Sequence, residues 1–219
     1  IHSYSLIHDD LPCMDNDSVR RGKPATHIKY GEASAVLAGS SLLTLAFEII
    51  TDKKYSLNSK LKNKIVSSLA GCAGHTGIAG GQELDLKYEN KNKKLNQIIN
   101  MQKKKTGKLF NFCLYAVGEV ANKSSKEKIF LSNLGEEIGL LFQLADDFLD
   151  INGSKKLVGK PVKKDKKKGK STLLNLIGER KAYMYAYNVK KKILLKLKKH
   201  GKKAEDLINT IEFILGRNF

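Results

Sequence analysis

The chain is short of several things, and each shortage removes a class of protein. Cysteine occurs only at Cys13, Cys72 and Cys113, far apart and odd in number. That suits neither a disulfide framework nor a zinc site with paired ligands, and it points to a reducing, cytoplasmic setting. No secretory signal is visible. A long uninterrupted apolar run is missing too. The longest apolar stretch, residues 33–50, is broken by Ser34, Ser40, Ser41, Thr44 and Glu48. It reads as a buried helix, so no stable membrane association is expected. Alternating strand residues and an Asn-Gly hairpin between apolar runs are also lacking.

Acids are scarce: 22 Asp and Glu stand against 40 Lys and Arg, a formal net charge of +18. Lysine runs at 103–105 and 166–168 could grip nucleic acid or an anionic surface. They lack interleaved aromatics for stacking on bases, so they read as solvated faces of a lysine-biased composition, and no nucleic-acid partner is expected.

What is present is helical periodicity. Leu131, Leu134, Ile138, Leu141 and Ala145 follow a three-four rhythm, and Ile193, Leu194 and Leu197 repeat it between lysines. Pro12, Pro24 and Pro161 each fall at an expected helix boundary. The fold class is all-α, with helices expected at 1–10, 31–51, 57–82, 94–122, 125–151, 171–199 and 203–216. In 219 residues one domain spanning 1–219 is the expectation. Residues 152–170, rich in Gly and Lys around Pro161, read as a mobile basic loop, a length often reserved for function.

The few acids are concentrated. IHDDLPCMDND, residues 7–17, places Asp9 and Asp10 at the end of the first helix with Asp15 just beyond. LADDFLDING, residues 144–153, places Asp146, Asp147 and Asp150 in the last turns of the 125–151 helix, at spacings that bring them to one side. Acids at a helix C-terminus oppose its dipole, at roughly 0.3–1 kcal/mol each. Either cluster alone could pair with surface lysines. Two clusters of the same pattern favour an external compensator, and hard divalent cations are the obvious one. Carboxylates leave Mg2+ with open positions that water and phosphate oxygens fill. Two facing clusters with several Mg2+ between them would clamp a diphosphate.

Cations that could complete such a shell follow. Arg20 and Arg21 in DSVRRGKP would more easily grip two anions than one, if helical, because adjacent side chains diverge. Lys105 and Thr106 stand in KKKTGK, inside a helix, and Lys160 and Lys170 on the basic loop. GHTGIAGGQELDL, residues 74–86, resembles a phosphate loop only superficially, with no preceding strand and no GKS or GKT ending. Its small residues read as a close approach between helices.

DDLPCMD, RRGKP, GGQELD, KTG, FQLADDFLD, GK and GKST, in this order, resemble the trans-isoprenyl diphosphate synthases (polyprenyl synthetases), most of all the bacterial farnesyl-type members. The resemblance runs the whole length of the chain, and the paired aspartate motifs are specific. The resemblance implies an all-α bundle around a deep apolar cavity, with three Mg2+ bridging carboxylates to an allylic diphosphate. It implies Asp9, Asp10, Asp15, Asp146, Asp147 and Asp150 as metal ligands or their close support. Arg20, Lys105, Lys160 and Lys170 would hold the allylic diphosphate, and Arg21 and His2 isopentenyl diphosphate. Thr106 and Gln143 would face the developing carbocation and contact the same allylic diphosphate. The implied reaction ionises the allylic C–O bond, adds the double bond of isopentenyl diphosphate to the cation and loses a proton, to give farnesyl diphosphate. A homodimer is implied by the same resemblance. The DDFLD second motif favours chain elongation over cyclisation.

Tyr4 lies five residues before Asp9, about 7–8 Å back along a helix at 1.5 Å per residue. By the resemblance, an aromatic here forms the floor of the growing-tail pocket and accompanies a C15 product. A geranylgeranyl product is the alternative, as is a non-catalytic synthase-like subunit. The family's earlier helices and their Gly-Lys-Arg stretch have no counterpart in this sequence, so a longer natural protein is expected, with an incomplete second-substrate site in the 219 residues alone. STLLN after Lys170 departs from the Tyr-Pro pair of many relatives.

Overall fold

The structure, a computed structural model, describes residues 1–152 and 169–216. Helix α1 (His2–Asp9) leads through an irregular turn into a two-residue hairpin, β1 (Val19–Arg20) and β2 (Lys23–Pro24). Then come α2 (Thr26–Tyr30), α3 (Glu32–Thr51), α4 (Ser59–Ala73), α5 (Ile78–Tyr88) and α6 (Leu95–Gln102). A π-helical turn (Lys103–Gly107) joins α6 to α7 (Lys108–Val120). The long α8 (Ser125–Asn152), α9 (Leu173–Ile177), α10 (Glu179–Lys198) and α11 (Glu205–Gly216) complete the described residues. The fold is all-α, as the periodicity predicts.

Local chemistry sets the boundaries. Asn58 caps α4 by accepting from the Leu61 amide at 2.9 Å. Ser124 and Glu127 exchange reciprocal bonds at the start of α8, a capping box. Three of the expected helices are interrupted. The 57–82 segment breaks between Gly74 and Gly77, where the Thr76 hydroxyl donates to the Gly71 carbonyl at 2.8 Å, and α5 then runs on to Tyr88. The 94–122 segment widens into the π turn at KKKTG, a local form often found at functional sites. Gly178, at φ +79°, separates α9 from α10.

α8 is the axis of the core. Leu134, Ile138, Leu141, Leu144, Ala145 and Phe148 are buried along it, against Ile98 and Met101 of α6, Ala182, Ala186, Ile193 and Leu197 of α10, and Ile211 and Ile214 of α11. Leu134, Ile138, Leu141 and Ala145, and Ile193 and Leu197 of α10, are positions the three-four rhythm marks; Leu131, at its start, is only half-buried. α3 departs from expectation: it is not a buried helix. Ala35 and Gly39 are its buried residues, whereas Val36, Leu37, Leu45 and Ile49 are exposed. Its small residues pack on α1 and leave the opposite apolar side uncovered. By length and composition alone α3 could cross a membrane, a test that core helices of soluble proteins also pass.

Candidate active site

One cavity of about 640 Å³ lies between the end of α1, the π turn and the last turns of α8. Asp9 and Asp15 line it from one side, and Asp146, Asp147 and Asp150 from the other. The two aspartate motifs, more than 130 residues apart, therefore face one space. Its deeper wall is apolar, with Leu109, Phe110 and Phe142, and Tyr4 and His8 close another part of it.

The first motif is surrounded by cations. Asp10, 2 % exposed, does not line the cavity but accepts from Arg20 Nε at 3.0 Å and 3.2 Å and from its Nη2. The same guanidinium lies 4.0 Å from Asp9 and 3.8 Å from Asp17. Burial works against the Arg20 charge, but its bonds to Asp10 and the surrounding carboxylates outweigh that and hold it above its ordinary value. Lys105 Nζ stands 3.3 Å from Asp9 Oδ1 and 2.7 Å from Asp85 Oδ2. Lys170 Nζ donates to Asp15 Oδ1 at 2.6 Å and to the same Asp85 oxygen at 2.7 Å. Burial lowers the Lys170 pKa, as does its neighbour Lys105, yet Asp85 and Asp15 push it up to about 12.

Around the second motif a hydrogen-bond chain is fixed by close helix packing. A Cβ on Gly139 would stand 2.5 Å from Gly107 Cα, so α8 and the π turn meet backbone to backbone. That contact lets Thr106 Oγ1 donate to Gln143 Oε1 at 2.8 Å. Gln143 Nε2 donates to Asp147 Oδ1 at 2.8 Å, and Gln102 Nε2 to Asp147 Oδ2 at 3.0 Å.

His2, Tyr4, Asp9, Asp15, Arg20 and Lys105 all line the cavity, as do Thr106, Gln143, Lys170 and the three aspartates of α8. Arg20 and Arg21 are not on a helix. They sit on the β1–β2 hairpin, whose turn residues Arg21 and Gly22 have φ +53° and +75°, the form that two-residue hairpins favour. The chain reversal there separates the two guanidiniums. Arg20 turns inward, and Arg21 Nη2 meets His2 Nε2 at 3.2 Å. Burial and then Arg21 lower the His2 pKa. Lys170 is not a loose loop residue. The carbonyl of Gly169 accepts from the Asn90 amide at 2.8 Å, and Ser171 Oγ donates to the Tyr88 carbonyl at 2.8 Å, so Lys170 is pinned to the end of α5 and buried. Lys160 and most of the expected mobile loop 152–170 lie outside the described residues. Asp85, Gln102 and Asp17 were missed by residue-level reasoning. The signal for Asp85 was its place in GGQELD, an acid one turn after paired glycines.

The donor set fits a hard divalent cation. The cavity-lining acids offer carboxylate oxygens, and buried Asp9 Oδ1 makes no hydrogen bond, with only the Lys105 ammonium at 3.3 Å opposite it. Among the described residues no three His, Cys, Asp or Glu side chains converge as a ready-made cage. Mg2+ takes one or two carboxylates and completes its shell with water and substrate oxygens.

Residues 1–212 match the polyprenyl synthetase family model, and the chain belongs to that family. It is 42% identical over 178 residues to the farnesyl diphosphate synthase of Bacillus subtilis, a match covering 81% of this chain and 60% of that protein. It is 36% identical over its full length to the geranylgeranyl diphosphate synthase of Cyanophora paradoxa, of which it covers 73%. Among solved structures, a geranyltransferase from Helicobacter pylori complexed with magnesium and isoprenyl diphosphate superposes with a TM-score of 0.87 at 33% identity, covering 98% of this chain and 70% of that one. The chain thus spans about 60% of the length of the first curated relatives it matches.

Proposed function

We propose that the protein is a Mg2+-dependent prenyltransferase that condenses isopentenyl diphosphate head-to-tail with dimethylallyl or geranyl diphosphate to give farnesyl diphosphate. The observation that carries this reading is the pair of aspartate motifs facing one cavity with Lys105, Lys170 and Arg20 beside them and an apolar wall beyond. Asp9 and Asp15 on one side, and Asp146 and Asp150 on the other, would hold the cations, three by family analogy. Bound Mg2+ would supply Lewis-acid stabilisation of the departing diphosphate.

The chain's own groups do the rest. Lys105 and Lys170 present two ammoniums to the diphosphate, and Arg20, braced by Asp10, adds a third charge. Together they stabilise negative charge as it develops on the leaving oxygen. Thr106 and Gln143, hydrogen-bonded to each other and lining the cavity, would face the carbon that loses diphosphate, where oxygen lone pairs favour positive charge. The apolar wall keeps water from intercepting that cation. His2 and Arg21 would hold isopentenyl diphosphate, and the released diphosphate is the base that takes the proton. Lys160 is proposed for the allylic diphosphate on the resemblance alone.

Tyr4 is the proposed floor. It is buried, its hydroxyl points to the Ala73 carbonyl at 3.4 Å, and its ring meets His8 edge-on. A geranylgeranyl product is the second reading, favoured by the full-length match to the Cyanophora paradoxa synthase. Tyr4→Ala should lengthen the product by at least one C5 unit, read by mass; an unchanged C15 profile would remove Tyr4 from this role. We also propose one domain over 1–219, a cytoplasmic enzyme and a homodimer, in which the exposed apolar side of α3 meets a second copy. The decisive assay supplies geranyl diphosphate, isopentenyl diphosphate and Mg2+. The assay is run on the 219 residues with and without any upstream sequence; absence of condensation from the full-length form, or activity that survives EDTA, would overturn the proposal.

A further inference from the structure

Asp85 has no place in the chemistry above, yet it binds both of the lysines given a role there. It lies on α5 and is 6 % exposed. Its Oδ2 atom accepts from Lys105 Nζ and from Lys170 Nζ, both at 2.7 Å. Those lysines continue to Asp9 and Asp15. The Asp85 carboxylate thus ties α5 directly to the π turn and to the segment of Lys170, and through those two lysines to the first aspartate motif.

The backbone is shaped to allow this. A Cβ on Gly81, one helical turn before Asp85, would stand 2.2 Å from the Lys105 amide nitrogen, so α5 and the π turn touch main chain to main chain. On the other side Gly169 and Ser171 bind the end of α5 and set Lys170 in place. Burial alone would raise the Asp85 pKa, and the two lysines outweigh it and hold the carboxyl below its usual range.

Asp9 and Asp15 have a conflict of duty. In this structure they compensate Lys105 and Lys170, with Glu89 a further carboxylate 3.5 Å from Lys170, but the proposed function gives Asp9 and Asp15 to cations, and Asp85 is the carboxylate that both lysines share. Whichever oxygens the cations take are withdrawn from the lysines. We propose that Asp85 is a positioning residue, the standing counter-ion that keeps Lys105 and Lys170 directed at the diphosphate once Asp9 and Asp15 are engaged elsewhere. This rests on the reading of the site as a diphosphate clamp.

The test is calorimetric binding of inorganic diphosphate in the presence of Mg2+, with steady-state kinetics on both substrates. Asp85→Asn should weaken diphosphate binding about 10-fold or more, the scale of one lost charge-assisted hydrogen bond. KM for the allylic diphosphate should rise with it, and KM for isopentenyl diphosphate should stay within about two-fold of wild type. Asp85→Glu keeps the charge and should recover most of the loss. If Asp85→Asn does not fold, the pair Asp85→Asn/Lys170→Met, which strands one ammonium fewer, is compared with Lys170→Met alone. Wild-type diphosphate affinity in Asp85→Asn, or an equal rise in both KM values, would overturn the inference. Wild-type protein that binds no diphosphate would instead sink the proposed function itself.

Discussion

The two aspartate motifs look alike in sequence and are held differently in space. In each, the second aspartate of the DD pair is a buried brace: Asp10 at 2 % exposure and Asp147 at 3 %. Asp10 is gripped by the Arg20 guanidinium, whereas Asp147 accepts from the carboxamides of Gln102 and Gln143. The first motif follows the end of a short helix and depends on charges from the hairpin, the π turn and the segment after Gly169. The second sits within α8, the spine of the core, and its helix already orients it. A motif at an irregular junction is fixed here by ionic ties from other segments, whereas a packed helix already orients the second.

The largest effect expected is shared by both motifs. Asp9→Asn and Asp146→Asn should each lower turnover by on the order of 10²-fold or more, through weakened charge stabilisation at the leaving diphosphate. A large loss in one motif alone would break the symmetry and place the cations on that side only.

The brace residues should separate the motifs. Asp10→Asn leaves the partly buried Arg20 with only the more distant carboxylates of Asp9 and Asp17, and should cost about 2–3 kcal/mol of unfolding free energy, discounted for the exposed part of the guanidinium. Asp147→Asn turns one acceptor of the Gln102 and Gln143 carboxamides into a donor and should cost about 1–2 kcal/mol through those bonds. Urea denaturation measures both, and equal costs would show that the two braces are equivalent.

The smallest effect is a control on α8 outside the motifs. Glu137 accepts from Lys196 at 2.5 Å and stands 3.0 Å from Lys192. Burial would raise its pKa, but the two lysines hold it below its ordinary value. Its contribution is therefore present above the unfolded carboxylate value of about 4.3 and is lost as pH falls through the lower folded value. Being partly exposed, the cluster should contribute only about 0.5–1 kcal/mol. Glu137→Gln should flatten the stability profile below about pH 4.5 by that amount, with no change in activity at neutral pH. A loss of activity would show that the lower α8 surface communicates with the cavity.

Much of this was legible in advance because the signals are local. Periodicity marks the buried face of α8, and a carboxylate set against a helix dipole is visible wherever it occurs. The pinning of Lys170 was not legible: a lysine in a Gly-Lys segment reads as solvated until Asn90 and Tyr88 are seen to hold its neighbours. The inward turn of Arg20 was hidden because two residues at positive φ are a property of a turn, and Arg-Gly is a weak signal for one.

The sequence by itself determined the all-α class, the two aspartate motifs and the residues able to carry charge and apolar contact around them. Only the packed tertiary structure sets the motifs face to face, leaves Asp10 as a brace outside the cavity while Asp147 braces from its wall, and places Asp85 against two lysines at once. The reason is physical. Helical period and dipole act over a few residues, whereas the approach of Gly81 to Lys105 and of Gly139 to Gly107 depends on how distant helices pack, and a backbone contact of that kind leaves only missing side chains as its trace.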